Sequence, residues 1–266
     1  MMKISSIGIM QGRILPRYID QLQIFPTETW QEEIIVAENI GYEHIELLWD
    51  SKHQIKKANK LMKPINEIFN LPAPSMCLDS ICSKTSFKDI TNEILDALQN
   101  FKSSIPSILV IPLLGKAKID TPSVLKDFIK AINEHKINNL LNKYNTKLAL
   151  ELDMPASDII KAVDSFDSEW IGLCLDSGNL WYSSENPSDD ILKLSSLIIH
   201  VHIKDRDSQG NNVLLGKGLV NFDILLKSLN AINFSGLMTL ETKYFKDPLA
   251  EAKRNLNFIK KRLCLL

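Results

Sequence analysis

Residues 171–179 have the sequence IGLCLDSGN, in which a short apolar segment ends at a carboxylate and turn-forming residues follow at once. A similar arrangement recurs in LALEL at 148–152, IIHVHIKD at 198–205 and LMTLET at 237–242. Each segment is typical of a buried strand in a parallel sheet. Because parallel strands end at one edge, the polar residues at these ends are expected to converge on one mouth. These residues are Glu151, Asp176, His202 and Glu241.

Apolar runs alternate with longer amphipathic stretches along the whole chain. Strands are predicted at Ile4–Met10, His44–Leu48, Ala73–Cys77, Ile108–Ile111, Lys147–Glu151, Ile171–Leu175, Leu197–Ile203 and Leu237–Glu241. Helices are predicted at Thr29–Ile40, Lys52–Phe69, Phe87–Lys102, Pro122–Tyr144, Ala156–Phe166, Ser188–Leu194, Phe222–Leu229 and Pro248–Arg262. This alternation favours a (β/α)8 TIM barrel formed by one domain of residues 1–266. The alternative is an open doubly wound sheet, whose fingerprints GxGxxG and GxxxxGK[ST] are absent.

Several predicted helix boundaries have a physical cause. Thr27 suits a helix start, and Gly41 suits a helix end because glycine tolerates the left-handed conformation. Thr121 and Asp247 each offer a capping side chain before a first-turn proline. Pro64 is expected to kink or shorten the second helix.

Length, charge and cysteine content narrow the class of protein. The 266 residues are 45% apolar and carry 31 basic against 32 acidic residues without a basic stripe, which gives nucleic-acid or membrane-surface binding no support. No apolar run approaches the roughly 18 residues that span a bilayer, and the N-terminus lacks a signal-peptide cleavage site. The four cysteines form no CxxC pair and are expected to be free thiols. A cytoplasmic protein is predicted.

The four converging side chains predict a divalent metal site. Taken singly, Asp176 suits a helix cap, His202 a buried backbone partner and Glu241 an ion pair with Lys243. Taken together, inward carboxylates repel one another and are costly to bury without a cation. Three carboxylates and one imidazole favour Mn²⁺, with Mg²⁺, Co²⁺ or Zn²⁺ as alternatives. His200 is expected to face the opposite side of its strand from His202, which makes His202 the ligand.

Other polar residues near predicted strand ends are expected to bind the substrate or shape its pocket. Arg13, Lys204 and Arg206 suit hydroxyl or phosphate groups, although Lys204 could instead pair with Asp205. Residues 216–218, Gly-Lys-Gly, suit either a phosphate site or a tight turn. The expected substrate-binding residues are Gln11, Arg13, Glu46, Asn179, Lys204 and Arg206. Sugar-stacking or core packing is expected of Trp49, Trp181 and Tyr182.

Six motifs, GIMQGR, GYEHIEL, CLDSGN, HVHIKDR, LLGKGLVNFD and GLMTLET, extend over essentially the whole chain. Through them the chain resembles the sugar phosphate isomerase/epimerase superfamily with a xylose isomerase-like barrel, which includes ketose 3-epimerases and inosose dehydratases. The resemblance implies one metal ion on Glu151, Asp176, His202 and Glu241. It also implies a small sugar or sugar phosphate as partner and a homodimer or homotetramer.

Two positions depart from the ketose 3-epimerase pattern. Asn179 stands where those enzymes carry a substrate-binding histidine, and Ser157 stands where they carry a glutamate. These differences weaken an assignment to free-ketose 3-epimerisation and leave the metal ligands intact.

The predicted function is therefore a metal-dependent sugar or sugar-phosphate isomerase or epimerase. Glu151 and Glu241 are the predicted catalytic pair, one removing a proton next to a carbonyl and the other returning one, while the cation stabilises the enediolate. An inosose-type dehydratase on the same site is the alternative. Two other classes are an apurinic endonuclease-like hydrolase, which needs more histidines than the five present, and a non-catalytic sugar-binding barrel.

Overall fold

Eight parallel strands close into a barrel in chain order, with β8 pairing with β1. The computed structural model describes residues 6–16, 23–50, 52, 55, 69–101, 106–162, 165, 169–243 and 246–265. The strands are β1 Ser6–Met10, β2 His44–Leu48, β3 Ser75–Cys77, β4 Ile108–Leu113, β5 Lys147–Leu152, β6 Ile171–Asp176, β7 Ile198–Ile203 and β8 Leu237–Leu240. The predicted (β/α)8 barrel is confirmed.

Helices lie between the strands, as the alternation predicted. Within the described residues they are α1 Trp30–Ile40, α2 Phe87–Phe101, α3 Pro122–Glu134, α4 Ile137–Tyr144, α5 Ala156–Lys161, α6 Ser177–Ser183, α7 Pro187–Lys193, α8 Phe222–Ala231 and α9 Pro248–Leu263. Short 3-10 turns cover Asp79–Ser83 and Gly115–Ala117. The helix expected at Lys52–Phe69, with Pro64, falls mostly outside the described residues.

The alternation of side chains along each strand separates two apolar layers. Outward residues pack against the helices and form the larger core. Inward residues of six strands form a small layer inside the barrel, made of Met10, Leu48, Cys77, Val110, Ala149 and Cys174. Polar side chains near the carboxyl ends of the strands lie above this inner layer.

Most predicted helix ends are confirmed by their local geometry. Gly41 has a φ of 97° and ends α1, and Thr121 and Asp247 cap α3 and α9 with their side chains. The start of α1 at Trp30 lies later than Thr27 suggested. The stretch predicted as one helix over 122–144 is two helices, because Lys136 adopts a left-handed φ of 55° between them.

All four cysteines are free thiols, as predicted, and Cys77 and Cys174 are buried. No described helix combines the length and apolar character needed to cross a membrane.

Candidate metal centre

Four side chains meet at the carboxyl ends of β5 to β8. Glu151, Asp176, His202 and Glu241 each offer one ligand atom, and these atoms all lie within 4.8 Å of one another. His202 Nδ1 is 3.2 Å from Glu241 Oε2 and 3.7 Å from Glu151 Oε2. All four residues are buried, so the structure brings together the set that the sequence singled out.

Strand register explains why these residues share one level of the barrel. Asp176 pairs with His202 across β6 and β7, and His202 pairs with Thr239 on β8. Glu151 and Asp176 each follow an inner-layer residue by two positions, which keeps their side chains on the inner face. The barrel interior is therefore polar at this end and apolar below it.

The expectation that His200 faces away from His202 is wrong. Residues two apart on a strand share a face, and both imidazoles point into the barrel. Their ring centroids are 5.1 Å apart in a T-shaped arrangement. Nε2 of each ring lies 2.8 Å from a different oxygen of Glu46 on β2.

Lys204 supplies a buried positive charge beside the carboxylates. Its Nζ lies 2.8 Å from Asp176 Oδ2 and 3.0 Å from Glu241 Oε2. Although burial lowers the pKa of Lys204, Asp176 and Glu241 raise it above its ordinary value, so the side chain stays charged. The pairing of Lys204 with Asp205 that the sequence left open is not what the structure shows.

Amide groups complete the hydrogen bonding of the cluster. Asn179 Nδ2 donates to Glu151 Oε1 at 3.3 Å, and the backbone N–H of Asn179 donates to Asp176 Oδ1 at 2.7 Å. Asp176 therefore caps α6 with one oxygen while the other faces the cluster. Gln23 Nε2 donates to Glu241 Oε1 at 2.5 Å, and Arg13 donates to Gln23 Oε1 at the same distance.

The environments of the two glutamates push their pKa values apart. Burial raises the pKa of Glu151 to about 8, with Lys204 opposing the rise. Burial also acts on Glu241, but Lys204 and His202 outweigh it and hold the pKa of Glu241 well below its usual range. Burial lowers the pKa of His202, but Cys174 and Glu46 raise it well above the ordinary value. Protons and a divalent cation would thus compete for the same buried groups.

The donor set fits a divalent cation. His202 Nδ1 is buried and makes no well-aligned hydrogen bond within the described part of the chain, although it faces two carboxylates. Three carboxylates and an imidazole suit an oxygen-preferring ion. A second group, Cys174 with His200 and His202, also has ligand atoms within 4.8 Å of one another. It shares His202 with the first group, and burial raises the pKa of the Cys174 thiol to about 12, which disfavours the thiolate a metal needs.

A family model described as Xylose isomerase-like TIM barrel matches residues 34–262. The chain belongs to this family. The resemblance drawn from the sequence motifs is thereby confirmed at the level of the family.

Three curated relatives differ in their names. An uncharacterised protein of Methanocaldococcus jannaschii is 28% identical over 165 residues, covering 60% of this chain and 63% of that protein. The 3-oxo-isoapionate decarboxylase of Pectobacterium atrosepticum is 33% identical over 98 residues, or 33% of this chain and 36% of the enzyme. Inosose dehydratase of Clostridium botulinum is 24% identical over 243 residues, or 76% and 80%. The chain spans less than two thirds of the length of the first two relatives.

Solved structures share the barrel at low sequence identity. The 3-keto-D-glucoside 4-epimerase of E. coli has a TM-score of 0.72 at 15% identity, covering 97% of this chain and 100% of that chain. D-allulose 3-epimerase from Methylomonas, in complex with D-allulose, has a TM-score of 0.72 at 16% identity, covering 97% of both chains. A Mycobacterium smegmatis barrel in complex with magnesium has a TM-score of 0.68 at 18% identity, covering 97% and 96%. These likenesses show the fold.

In this xylose isomerase-like barrel, the residues expected to bind substrate occupy different environments. Gln11 is buried, and its Oε1 accepts from the backbone N–H of Leu48 at 3.0 Å. Arg13, Asn179 and Lys204 lie in the shell around the carboxylates. Arg206 is more exposed and contacts Asn212 and the Tyr182 ring. Both oxygens of Glu46 are engaged by imidazoles, and the residue is 0% exposed.

The Gly-Lys-Gly segment at 216–218 is a turn. Its three backbone N–H groups all point at Asp205 Oδ2, with N–O distances of 2.9 to 3.2 Å, and Val220 N donates to Oδ1 at 3.1 Å. The carboxylate thus takes the amides that a phosphate would need. Trp49 is fully buried and donates to Glu93, which assigns it to the core.

Two supporting residues were not singled out from the sequence. Gln23 lies in the segment before α1, where no periodic pattern marks it. Glu33 is buried on α1 and accepts from Gly12 N at 2.8 Å and Ile14 N at 3.0 Å, which fixes the loop that carries Arg13. A buried acidic residue on the apolar face of α1 was a signal that could have revealed Glu33.

Proposed function

We propose that this chain is an isomerase or epimerase of a sugar or sugar phosphate, dependent on one divalent cation. Glu151, Asp176, His202 and Glu241 are the proposed ligands. The observation that carries the proposal is the convergence of three carboxylates and one imidazole, within 4.8 Å of one another, at the mouth where TIM barrels place their chemistry.

Glu151 and Glu241 are proposed as the proton-transfer pair. A bound divalent cation would polarise a substrate carbonyl and stabilise the negative charge that develops on its oxygen. Glu241 stays ionised beside Lys204 and Gln23, which suits it to remove a carbon-bound proton. Glu151, with its pKa raised to about 8, can carry a proton near neutral pH and return it. Two carboxyls with separated pKa values suit one base and one acid.

The surrounding polar groups are proposed to bind the substrate. Arg13, Asn179, Lys204 and Arg206 place cationic or amide donors around the carboxylates, where hydroxyl groups can be bound. The buried Gln11 Nε2 has no hydrogen-bond partner among the described atoms and is proposed as a further donor. The D-allulose complex of the Methylomonas epimerase supports a sugar as ligand.

The proposed cation is Mn²⁺, with Mg²⁺, Co²⁺ or Zn²⁺ as alternatives. Three carboxylate ligands favour hard, oxygen-preferring ions over a closed thiolate site. The magnesium complex of the Mycobacterium smegmatis barrel supports an ion of this kind.

A dehydratase is a second candidate function. The inosose dehydratase of Clostridium botulinum aligns with 76% of this chain, and the 3-oxo-isoapionate decarboxylase also belongs to its relatives. Dehydration begins with the same proton removal next to a carbonyl. It then expels a neighbouring hydroxyl as water, for which a protonated Glu151 can supply the proton.

Deuterium incorporation from D2O, followed by NMR, tests the proposed function. The substrates are a panel of ketoses, ketose phosphates and inososes, each with Mn²⁺ and with a chelator. Metal-dependent exchange at one carbon supports the proposal, and the labelled position separates an isomerase from an epimerase. Loss of water from an inosose would favour the dehydratase. Absence of both reactions across the panel, with metal bound, would contradict the proposal for these substrate classes.

A further inference from the structure

Glu46 lies on the inner face of β2, across the barrel from the two histidines of β7. Its Oε1 is 2.8 Å from His202 Nε2 in a hydrogen bond, and its Oε2 is 2.8 Å from His200 Nε2. All three side chains are fully buried. A substrate at the mouth therefore meets neither oxygen of Glu46.

The two nitrogens of His202 face different partners. Nε2 faces Glu46, while Nδ1 lies 3.2 Å from Glu241 Oε2 and 3.7 Å from Glu151 Oε2. An ionised carboxylate only accepts hydrogen bonds, so a proton on Nε2 is what satisfies Glu46. The nitrogen left to offer a lone pair to a cation is Nδ1.

We propose that Glu46 is a positioning residue that fixes the ring orientation of His202 and keeps its proton on Nε2, so that Nδ1 is the nitrogen presented to the divalent cation. This inference rests on the metal site of the proposed function. A metal-bound histidine commonly donates its other N–H to a carboxylate, which orients the ring and strengthens it as a ligand.

His200 holds the other oxygen of Glu46. Its ring stands at 80° to that of His202, and Leu48 and Cys174 of the apolar inner layer lie on the same strands two residues from Glu46 and Asp176. A buried carboxylate without such partners would be costly, and a mobile one would not orient His202. The arrangement thus links the metal-facing nitrogen on β7 to β2, 156 residues away in the chain.

Metal affinity of the Glu46→Gln variant tests the proposal. The amide keeps the size of the side chain but cannot accept from both imidazoles. We expect Mn²⁺ binding, followed by EPR on chelator-treated protein, to weaken by about 10- to 100-fold. Glu43→Gln is the matched control, because exposed Glu43 lies next to β2 and accepts only from Ile7 N at 3.0 Å. An affinity within twofold of the wild type in a folded Glu46→Gln protein would overturn the proposal.

The tautomer of His202 gives a readout that a merely structural role would not move. Long-range ¹H–¹⁵N NMR of the Mg²⁺-loaded wild type is expected to show the proton on Nε2 and none on Nδ1, and Glu46→Gln is expected to disturb this state. A proton on Nδ1 in the loaded wild type would overturn the proposal even if Glu46→Gln fails to fold. Metal binding that depends on Glu46, with no exchange in any sugar, would instead leave positioning intact and count against the isomerase. A wild type that binds no divalent cation would overturn both.

Discussion

At the scale of single residues, the proposed function depends most on the carboxylates of Glu151 and Glu241. Substituting either by glutamine keeps the volume and removes the group that takes or returns a proton. We expect Glu151→Gln and Glu241→Gln each to slow metal-dependent deuterium exchange by at least about 100-fold, the lower end of what general acid–base groups contribute. The exchange rate by NMR is the measurement, made at a Mn²⁺ concentration that saturates each variant.

Glu43→Gln serves as the control for these variants too, since its side chain lies at the opposite end of β2 and touches none of the four proposed ligands. It is expected to keep the wild-type exchange rate within about twofold. Near-wild-type exchange in both active-site variants would remove Glu151 and Glu241 from the proposed mechanism.

His44 gives a residue-scale prediction about stability. Its Nδ1 contacts Ser6 Oγ at 2.8 Å and its Nε2 contacts Thr239 Oγ1 at 3.0 Å, and burial lowers its pKa to about 3. The unfolded state then binds a proton that the folded state does not. Stability from this group is complete above the unfolded pKa of about 6.5 and is lost as pH falls from there towards 3, by up to about 1.4 kcal/mol per pH unit.

The His44→Gln variant isolates this effect. From urea unfolding, we expect the wild type to lose about 1 kcal/mol more than the variant between pH 6.5 and 5.5. Equal losses in the two proteins would show that His44 is not buried in its neutral form.

Single residues also show how far the sequence could predict the site. Asp176 and Glu241 could be predicted, because a carboxylate at the end of an apolar strand is visible in the sequence alone. The contact of Glu46 with His202 could not, since only closure of the barrel brings β2 opposite β7. The misplacement of His200 was an error in reasoning, because the two-residue period of a strand already puts it on the same face as His202.

At the scale of elements, the loop after β7 depends on Asp205. This buried carboxylate accepts from the backbone N–H groups of Gly216, Lys217, Gly218 and Val220. Removing it leaves several donors without a partner, each costly when buried. We expect Asp205→Ala to lower the free energy of unfolding by at least about 2 kcal/mol, measured by urea denaturation.

Asp207→Ala is the matched control in the same loop. Its carboxylate also accepts from backbone N–H groups, those of Gln209 and Asn211 at 2.9 Å, but these bonds are exposed to water. A loss below about 1 kcal/mol is expected there. Equal losses in the two variants would mean that Asp205 does not organise the loop.

Elements were predicted as well as their local signals allowed. Gly41, Thr121 and Asp247 mark helix ends with residue types that suit those positions. The break at Lys136 has no such mark, since neither glycine nor proline stands between α3 and α4. Helix α6 was missed because Gly178 lowers its helix propensity, and its cap is Asp176, which also faces the cluster.

At the scale of the whole molecule, eightfold alternation was enough to predict the barrel and the edge where the site lies. Its substrate could not be predicted, because one barrel supports many reactions and the pocket is shaped by loops. The buried carboxylates give a further expectation about the folded protein. A cation that binds only the folded state at 100 times its Kd adds about 2.7 kcal/mol of stability.

We therefore expect the Tm of chelator-treated protein to rise by about 5–10 °C on saturation with Mn²⁺. Differential scanning calorimetry is the measurement. Asp176→Asn is expected to abolish most of the rise, while Asp207→Ala keeps it. A Tm that is the same with Mn²⁺ and with chelator would show that no such cation binds the folded state.

The central claim is that Glu151, Asp176, His202 and Glu241 together hold one divalent cation. Titration of chelator-treated protein with Mn²⁺, followed by the EPR signal of the free ion, tests it most directly. The account predicts one tightly bound ion per chain and loss of that binding in Asp176→Asn. No binding tighter than about 1 mM, which corresponds to only about 4 kcal/mol, or binding that Asp176→Asn leaves unchanged, would contradict it.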